Sequence, residues 1–229
     1  MDQIGPTGAV LAIFLTGCAS SPEPVASAPA TAPTAEETAS DPGVWETRMN
    51  GALIHRNSGG VCPLEIAGQK RFDTRSFAAG GRDVACQYES EDGQSILTLY
   101  FSDFGELTAK THVNQAAKAV AQAKGLEINK DVSAKCHIAL GLIEGTQAPA
   151  PGNQGAKVIE APPCKMFSGA GRSSLLTVRT YGNWHFKVRL TTPDTGEDGE
   201  SAAIEIASEI LAIQDQAMEP ASGGAGREA

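Results

Sequence analysis

Residues 84–101, VACQYESEDGQSILTLYF, establish the kind of structure expected for the rest of the chain. From Val84 to Tyr88, apolar residues alternate with more polar ones, which is the two-residue period of a half-buried strand. The dipeptide Asp92-Gly93 then provides a strong tight-turn signal. Residues 95–101 are rich in residues that favour strands. The stretch therefore predicts a β-hairpin.

A helix is predicted directly after this hairpin. Thr108 is a suitable N-cap, and Gly125 follows the expected last residue, Lys124, as a helix stop. The apolar residues between them share one stripe at helical spacing: Val113, Ala117 and Val120. The many alanines indicate that this helix packs closely on a sheet.

The second half of the chain shows a similar plan. Residues 136–144 and 155–159 are predicted strands, and residues 173–181 and 184–191 flank Gly182-Asn183 as a second hairpin. A closing helix is predicted from about Glu200 to Gln216. The order of elements predicts one α+β domain over residues 44–217, with an antiparallel sheet and two main helices packed on one face. The repeated order also suggests duplicated β-β-α halves.

Two resemblances accompany this prediction. The order of elements is similar to that of PsbP-type photosystem domains, which are extra-cytoplasmic. The stretches SGGVCP, GRDVACQY and ILTLY resemble those of uncharacterised bacterial envelope proteins, and that family implies no activity.

The N-terminal residues predict export. Residues 9–15, AVLAIFL, are too short to cross a bilayer, which needs about 20 apolar residues, but they fit the core of a signal peptide. Residues 15–18, LTGC, resemble the lipobox of bacterial lipoproteins. That resemblance implies a signal peptide over residues 1–17 and a lipid anchor on Cys18. The alternative is that residues 9–15 form a buried strand of a cytosolic protein.

Both flanks of the domain are predicted to be disordered. Residues 19–43 contain five prolines, seven alanines, four acidic residues and no basic residue. Such a composition cannot bury enough apolar surface to offset the entropy of ordering. We therefore expect residues 18–43 to form a tether from the lipid, and residues 218–229 to form a tail.

The cysteines support the same compartment. The chain has five, and lipidation of Cys18 would leave an even set of four: Cys62, Cys86, Cys136 and Cys164. In an exported protein this set predicts two disulfides. Of the three possible pairings we favour Cys62–Cys86 with Cys136–Cys164, because each pair lies within one supersecondary unit.

Charge and motifs exclude several function classes. A net charge of −9 argues against nucleic acid as a partner, and the acyl chains rather than a basic surface would bind the membrane. The sequence contains no Walker motif, no G-x-S-x-G and no histidine pair at zinc-helix spacing, so we predict no cofactor and no metal site.

One candidate binding surface remains. If the Trp184 side of residues 184–191 faces the core, the opposite side presents a basic row. This predicted anion-binding face consists of Arg179, His185, Lys187 and Arg189. It could hold an anionic glycan, peptide or lipid headgroup. The alternative is an ordinary solvated strand face.

The sequence therefore predicts a lipid-anchored protein of the bacterial cell envelope that binds or scaffolds an unknown envelope protein or glycan. The resemblance to bacterial lipoproteins also implies a location: Cys18 is followed by Ala19 and Ser20, not by the Asp that retains enterobacterial lipoproteins in the inner membrane, so the periplasmic side of the outer membrane is favoured. The competing hypothesis is an envelope hydrolase with a Ser/His site assembled from distant residues.

The anchor generates the first prediction. Cys18→Ser should abolish acyl labelling and leave the precursor uncleaved or the protein misplaced, because the Cys18 thiol is the group that the lipobox reaction modifies. Metabolic labelling with a fatty acid, followed by fractionation, measures both. Unchanged acylation in this variant would contradict the lipobox interpretation.

Overall fold

A computed structural model of the chain describes residues 43–144 and 161–218. Outside this range lie the predicted signal peptide, Cys18, almost all of the tether and tail, and the predicted strand at residues 155–159. The strands are β1 (Trp45–Thr47), β2 (Leu53–His55), β3 (Val61–Cys62), β4 (Glu65–Ile66), β5 (Gln69–Ser76), β6 (Asp83–Ser90), β7 (Ile96–Asp103), β8 (Glu127–Asn129), β9 (Cys164–Gly169), β10 (Arg172–Tyr181) and β11 (Trp184–Pro193). The helices are α1 (Ala109–Lys124), α2 (Lys130–Glu144) and α3 (Glu197–Met218).

The strands form two antiparallel sheets, so the predicted α+β class is confirmed. Three strands pair in the order β1-β2-β3, and eight in the order β4-β5-β6-β7-β11-β10-β9-β8. Both predicted hairpins are present, as β6–β7 and β10–β11. The central contact is between β7 and β11, which joins the first four strands of the large sheet to the last four.

The helices lie on both faces of the large sheet, which corrects the prediction of two helices on one face. The inner face carries Leu99, Phe101 and Phe186, and it packs with residues of α2 and α3. The outer face carries the alternate residues of the same strands, and α1 packs there on β8, β9 and β10. Within residues 43–144 and 161–218, α1 is the only helix on the outer face, so β5, β6 and β7 have no helical cover there.

The predicted helix at 108–124 is confirmed with its caps. The Thr108 side chain accepts a hydrogen bond from the backbone N–H of Thr111, and Gly125 ends the helix in the left-handed conformation. The closing helix is also present, and it starts at Glu197 rather than Glu200.

The predicted strand at residues 136–144 is wrong, because these residues belong to α2. Val132, Cys136 and Leu140 are all buried, and their spacing of four residues puts them on one face of a helix. Asn129 starts the helix, since its side-chain oxygen accepts a hydrogen bond from the Val132 N–H at 3.1 Å.

The two β-β-α halves are arranged equivalently in their strands but not in their helices. β6–β7 and β10–β11 are equivalent hairpins that meet at the centre of the sheet. The helices that follow them, α1 and α3, lie on opposite faces. A two-fold axis perpendicular to the sheet would have left them on the same face.

Two disulfides join the elements, with the pairing favoured from the sequence. Cys62–Cys86 ties the three-stranded sheet to β6, and Cys136–Cys164 ties α2 to β9. Disulfides persist in oxidising compartments, which indicates an extracytoplasmic protein. Among the described residues, no helix is both long and apolar enough to cross a membrane.

The packing around Phe101 generates the second prediction. A Cβ atom added at Gly60 would lie 2.0 Å from Cε1 of Phe101, a fully buried ring of the inner face. Gly60→Ala should therefore lower the free energy of unfolding by about 1–3 kcal/mol or more through overpacking. Urea denaturation followed by circular dichroism measures the loss.

The matched control is Gly105→Ala. A Cβ atom there meets no atom within 4 Å, although φ is +60°, so only backbone strain of about 1 kcal/mol is expected. A loss at Gly60 no larger than the loss at Gly105 would show that the ring moves aside without penalty.

Candidate functional site

The structure divides the predicted anion-binding face between the two sides of the sheet. Cross-strand partners share a face, and Arg179 is the partner of Phe186 on the inner face. Its guanidinium bonds the Asp215 carboxylate of α3 at 2.7 Å, so Arg179 is not part of the site. Lys187, Arg189 and His185 do share the outer face, where their strand partners are Tyr100, Thr98 and Ser102.

Lys187 lies against an aromatic ring. Its Nζ atom is 3.9 Å from the centre of the Tyr100 ring, a cation–π contact worth about 0.5–2 kcal/mol. Phe77, which is exposed, stacks on Tyr100 with ring centres 6.2 Å apart. Burial lowers the pKa of Lys187; the negative charge of Asp83 opposes this shift, and the positive charge of Arg189 adds to it.

Arg189 completes a pair of cations without acidic partners. Among the described residues, no carboxylate oxygen lies within 4.0 Å of the side-chain nitrogens of Lys187 or Arg189. The Nε atom of Arg189 is buried and makes no hydrogen bond. Asp83, whose charge reaches Lys187, already accepts a hydrogen bond from Ser102 Oγ at 2.7 Å. We call Tyr100, Lys187 and Arg189 the cationic face.

His185 is buried beneath α1 and contacts a histidine that sequence reasoning missed. The Nδ1 atoms of His112 and His185 lie 3.0 Å apart, and we call these residues the imidazole pair. Phe104 packs edge-on against both rings, with centres 4.6 Å and 5.6 Å away. His112 belongs to the buried side of α1, next to the stripe recognised in the sequence, so helical periodicity could have found its burial but not its partner.

Burial and nearby positive charge favour the neutral forms of His112 and His185. The pKa of His112 is lowered to about 4, chiefly by burial and further by the charges of Lys187 and His185. Burial also lowers the pKa of His185, and a backbone contact with Leu107 opposes that shift. The imidazole pair is therefore uncharged at neutral pH.

A separate contact tests the hydrolase hypothesis. Ser58 Oγ lies 2.7 Å from His55 Nδ1, and the same oxygen accepts a hydrogen bond from the Gly60 N–H. Both bonds close the β2–β3 turn. His55 is packed among Trp45, Phe101 and Trp184, and no described carboxylate orients it, so this pair lacks the third member of a catalytic triad.

The described residues contain no group of three or more histidine, cysteine, aspartate or glutamate side chains arranged to hold a metal ion. The outer face therefore offers two cations that pair with no described carboxylate, beside an aromatic ring and above two buried, neutral imidazoles. Such a surface can bind a negatively charged group.

Comparisons with known proteins provide no family for this chain. No family model matches it, and no curated protein matches it. A crystal structure at 1.50 Å from Bacteroides thetaiotaomicron VPI-5482 aligns with a TM-score of 0.27 and 15% identity. The alignment covers 62% of this chain and 42% of that chain, so this chain spans less than half of that neighbour's length. A likeness this distant carries no argument about fold or role.

The buried histidines generate the third prediction. In the unfolded chain a histidine titrates near pH 6.5, whereas the folded pKa of His112 is about 4. Between these values the unfolded state binds more protons, so the free energy of unfolding falls as the pH falls from about 7 to 4. His112 alone contributes on the order of 2–3 kcal/mol to that loss. The lowered pKa values of His185 and His55 act in the same direction.

Urea denaturation at several pH values between 4 and 7.5 measures this dependence. His112→Gln should make it shallower, because the contribution of His112 is removed while those of His185 and His55 remain. His137→Gln is the comparison variant: it removes a histidine of α2 that bonds the Pro162 carbonyl and lies outside the imidazole pair, so the change caused by His112→Gln should exceed the change caused by His137→Gln. A His112→Gln curve parallel to the wild-type curve would contradict the prediction.

Proposed function

We propose that this protein is a lipid-anchored envelope protein whose folded domain binds acidic glycans on the cationic face. Three observations support the proposal. LTGC at residues 15–18 fits lipid attachment at Cys18, and the two disulfides fit an oxidising compartment. The outer face of the sheet holds two cations that form no ion pair with any carboxylate of residues 43–144 and 161–218.

The cation pair is the observation that carries the binding function. In a chain of net charge −9, Lys187 and Arg189 stand two residues apart on one strand face, and the positive charge of Arg189 makes the charge of Lys187 less favourable. Burying a cation costs free energy unless an opposite charge or a hydrogen-bond partner compensates for the lost water. An anionic group over this face would pair both and would satisfy the buried Nε–H of Arg189.

The neighbouring rings favour a glycan over other anions. Tyr100 is half-buried, and Phe77 remains 54% exposed beside it. Sugar rings present apolar C–H surfaces as well as polar groups, and binding sites commonly combine aromatic walls with a few placed charges. A carboxylate-bearing sugar could therefore contact Lys187 and Arg189 with its acid group while its ring packs against Phe77.

The lipid anchor would set where this binding occurs. Acylation of Cys18 would hold the domain at the membrane through residues 19–43. The residues after Cys18, Ala19 and Ser20, favour the outer membrane, and the domain would then face the periplasm and the glycans within it.

Binding of defined ligands by the mature protein in nonionic detergent generates the fourth prediction. An oligogalacturonate should bind, and Lys187→Gln combined with Arg189→Gln should weaken it about tenfold or more through the loss of two charge contacts. Isothermal titration calorimetry measures the change. Lys70→Gln is the matched control, because Lys70 is an exposed cation of the same sheet that lies opposite Glu89.

A neutral oligosaccharide, an acidic peptide and vesicles containing anionic lipid test the alternative ligand classes. Equal binding of a neutral oligosaccharide would overturn the role of the cations. Preference for an acidic peptide, or for vesicles containing anionic lipid, would overturn the glycan assignment. A double variant that binds as tightly as the wild type would remove the cationic face as the site.

A further inference from the structure

We propose that His112 is the proton acceptor of this site: it takes up a proton when an anion binds on the cationic face, so that binding tightens as the pH falls. This inference rests on the proposed anion-binding function. It couples a residue of α1 to the two cations of β11 and makes the ligand and the proton bind together.

The imidazole pair can accept one proton without separating. At an Nδ1–Nδ1 distance of 3.0 Å, one ring donates its N–H to the lone pair of the other. If His112 becomes an imidazolium, it still donates through Nδ1 to a neutral His185. The added charge then has to be stabilised only by its surroundings, because the contact itself is preserved.

Those surroundings are positive in the free protein. His112 contacts His185 of β11, the positive charge of Lys187 lowers the pKa of His112, and Arg189 adds a positive charge to the field of Lys187. From β6 the nearest acidic group in the field of Lys187 is Asp83, which is already hydrogen bonded by Ser102 of β7. His112 also lies in the first turns of α1, where the helix dipole disfavours a positive charge. No described carboxylate hydrogen-bonds to either ring, so the pair remains neutral.

A bound anion would reverse this balance. A negative group bound at Lys187 would counter the positive charge of Lys187, which now helps to lower the pKa of His112. An opposite charge within about 4–6 Å raises a histidine pKa by about 1–3 units. By linkage, a proton that binds more tightly to the complex makes the anion bind more tightly at low pH. For a rise of one to two units from about 4, the affinity should increase about two- to tenfold between pH 7.5 and 5.

Sulfate is the appropriate probe, because its own charge does not change between pH 5 and 7.5. The mature protein in nonionic detergent is titrated with sodium sulfate at pH 5, 6 and 7.5, at constant ionic strength. Calorimetry measures the affinity, and NMR follows the ring C–H resonances of His112 against pH with and without sulfate. We expect tighter binding at pH 5 and a higher pKa of His112 in the complex.

Three variants locate the effect. His112→Gln should bind sulfate at pH 7.5 as the wild type does but should lose the gain at pH 5. Lys187→Gln combined with Arg189→Gln should lose binding at every pH. His137→Gln, altered at an exposed histidine of α2, should retain both binding and gain.

The outcomes separate the two proposals. No sulfate binding by the wild type at any pH overturns this inference, and it overturns the anion-binding function as well if oligogalacturonate also fails to bind. Binding with equal affinity at pH 5 and 7.5 overturns only the coupling to protons. A gain that survives in His112→Gln assigns the proton to another residue and overturns the role of His112. If that variant does not fold, an unchanged His112 pKa in the wild-type NMR titration overturns the inference on its own.

Discussion

The antiparallel pairing of β7 with β11 is the constraint on which the rest of the structure depends. It joins two four-stranded halves into one sheet and places Phe101 opposite Phe186 on the inner face. The same register places Tyr100 opposite Lys187 on the outer face. A shift of one residue would exchange the two faces, bury the cations and expose the core, so core and candidate site are specified together.

Helices cover the two faces of the large sheet to different extents. The inner face is packed with α2 and α3, and the partly buried Arg179–Asp215 ion pair joins α3 to β10. The outer face has α1 over β8 to β10. The partly buried cations Lys187 and Arg189 lie on β11, beside the strands that α1 covers.

The two disulfides stabilise the domain against the unfavourable contacts on the outer face of the sheet. They close chain segments separated by 24 and 28 residues, and each contributes about 3–4 kcal/mol in the chain-entropy model. Typical domains have only about 5–15 kcal/mol of stability in total. The stabilisation offsets the repulsion between Lys187 and Arg189 and the burial of neutral histidines, which weakens the fold as the pH falls.

Local signals in the sequence were sufficient for the elements that depend on neighbouring residues. Alternation and turn dipeptides predicted both hairpins, the Thr108 and Gly125 caps predicted α1, and proximity along the chain identified the disulfide pairing. The features that only the tertiary structure established arise from contacts between distant residues. Residues 136–144 are apolar enough for a strand or a helix, and packing on β9 selected α2. Arg179 was assigned to the wrong face because its position follows from the register with Phe186 and the contact with Asp215. The contacts of Lys187 with Tyr100 and of His185 with His112 join residues more than seventy positions apart, and no local periodicity specifies which distant strand or helix will lie opposite a given side chain.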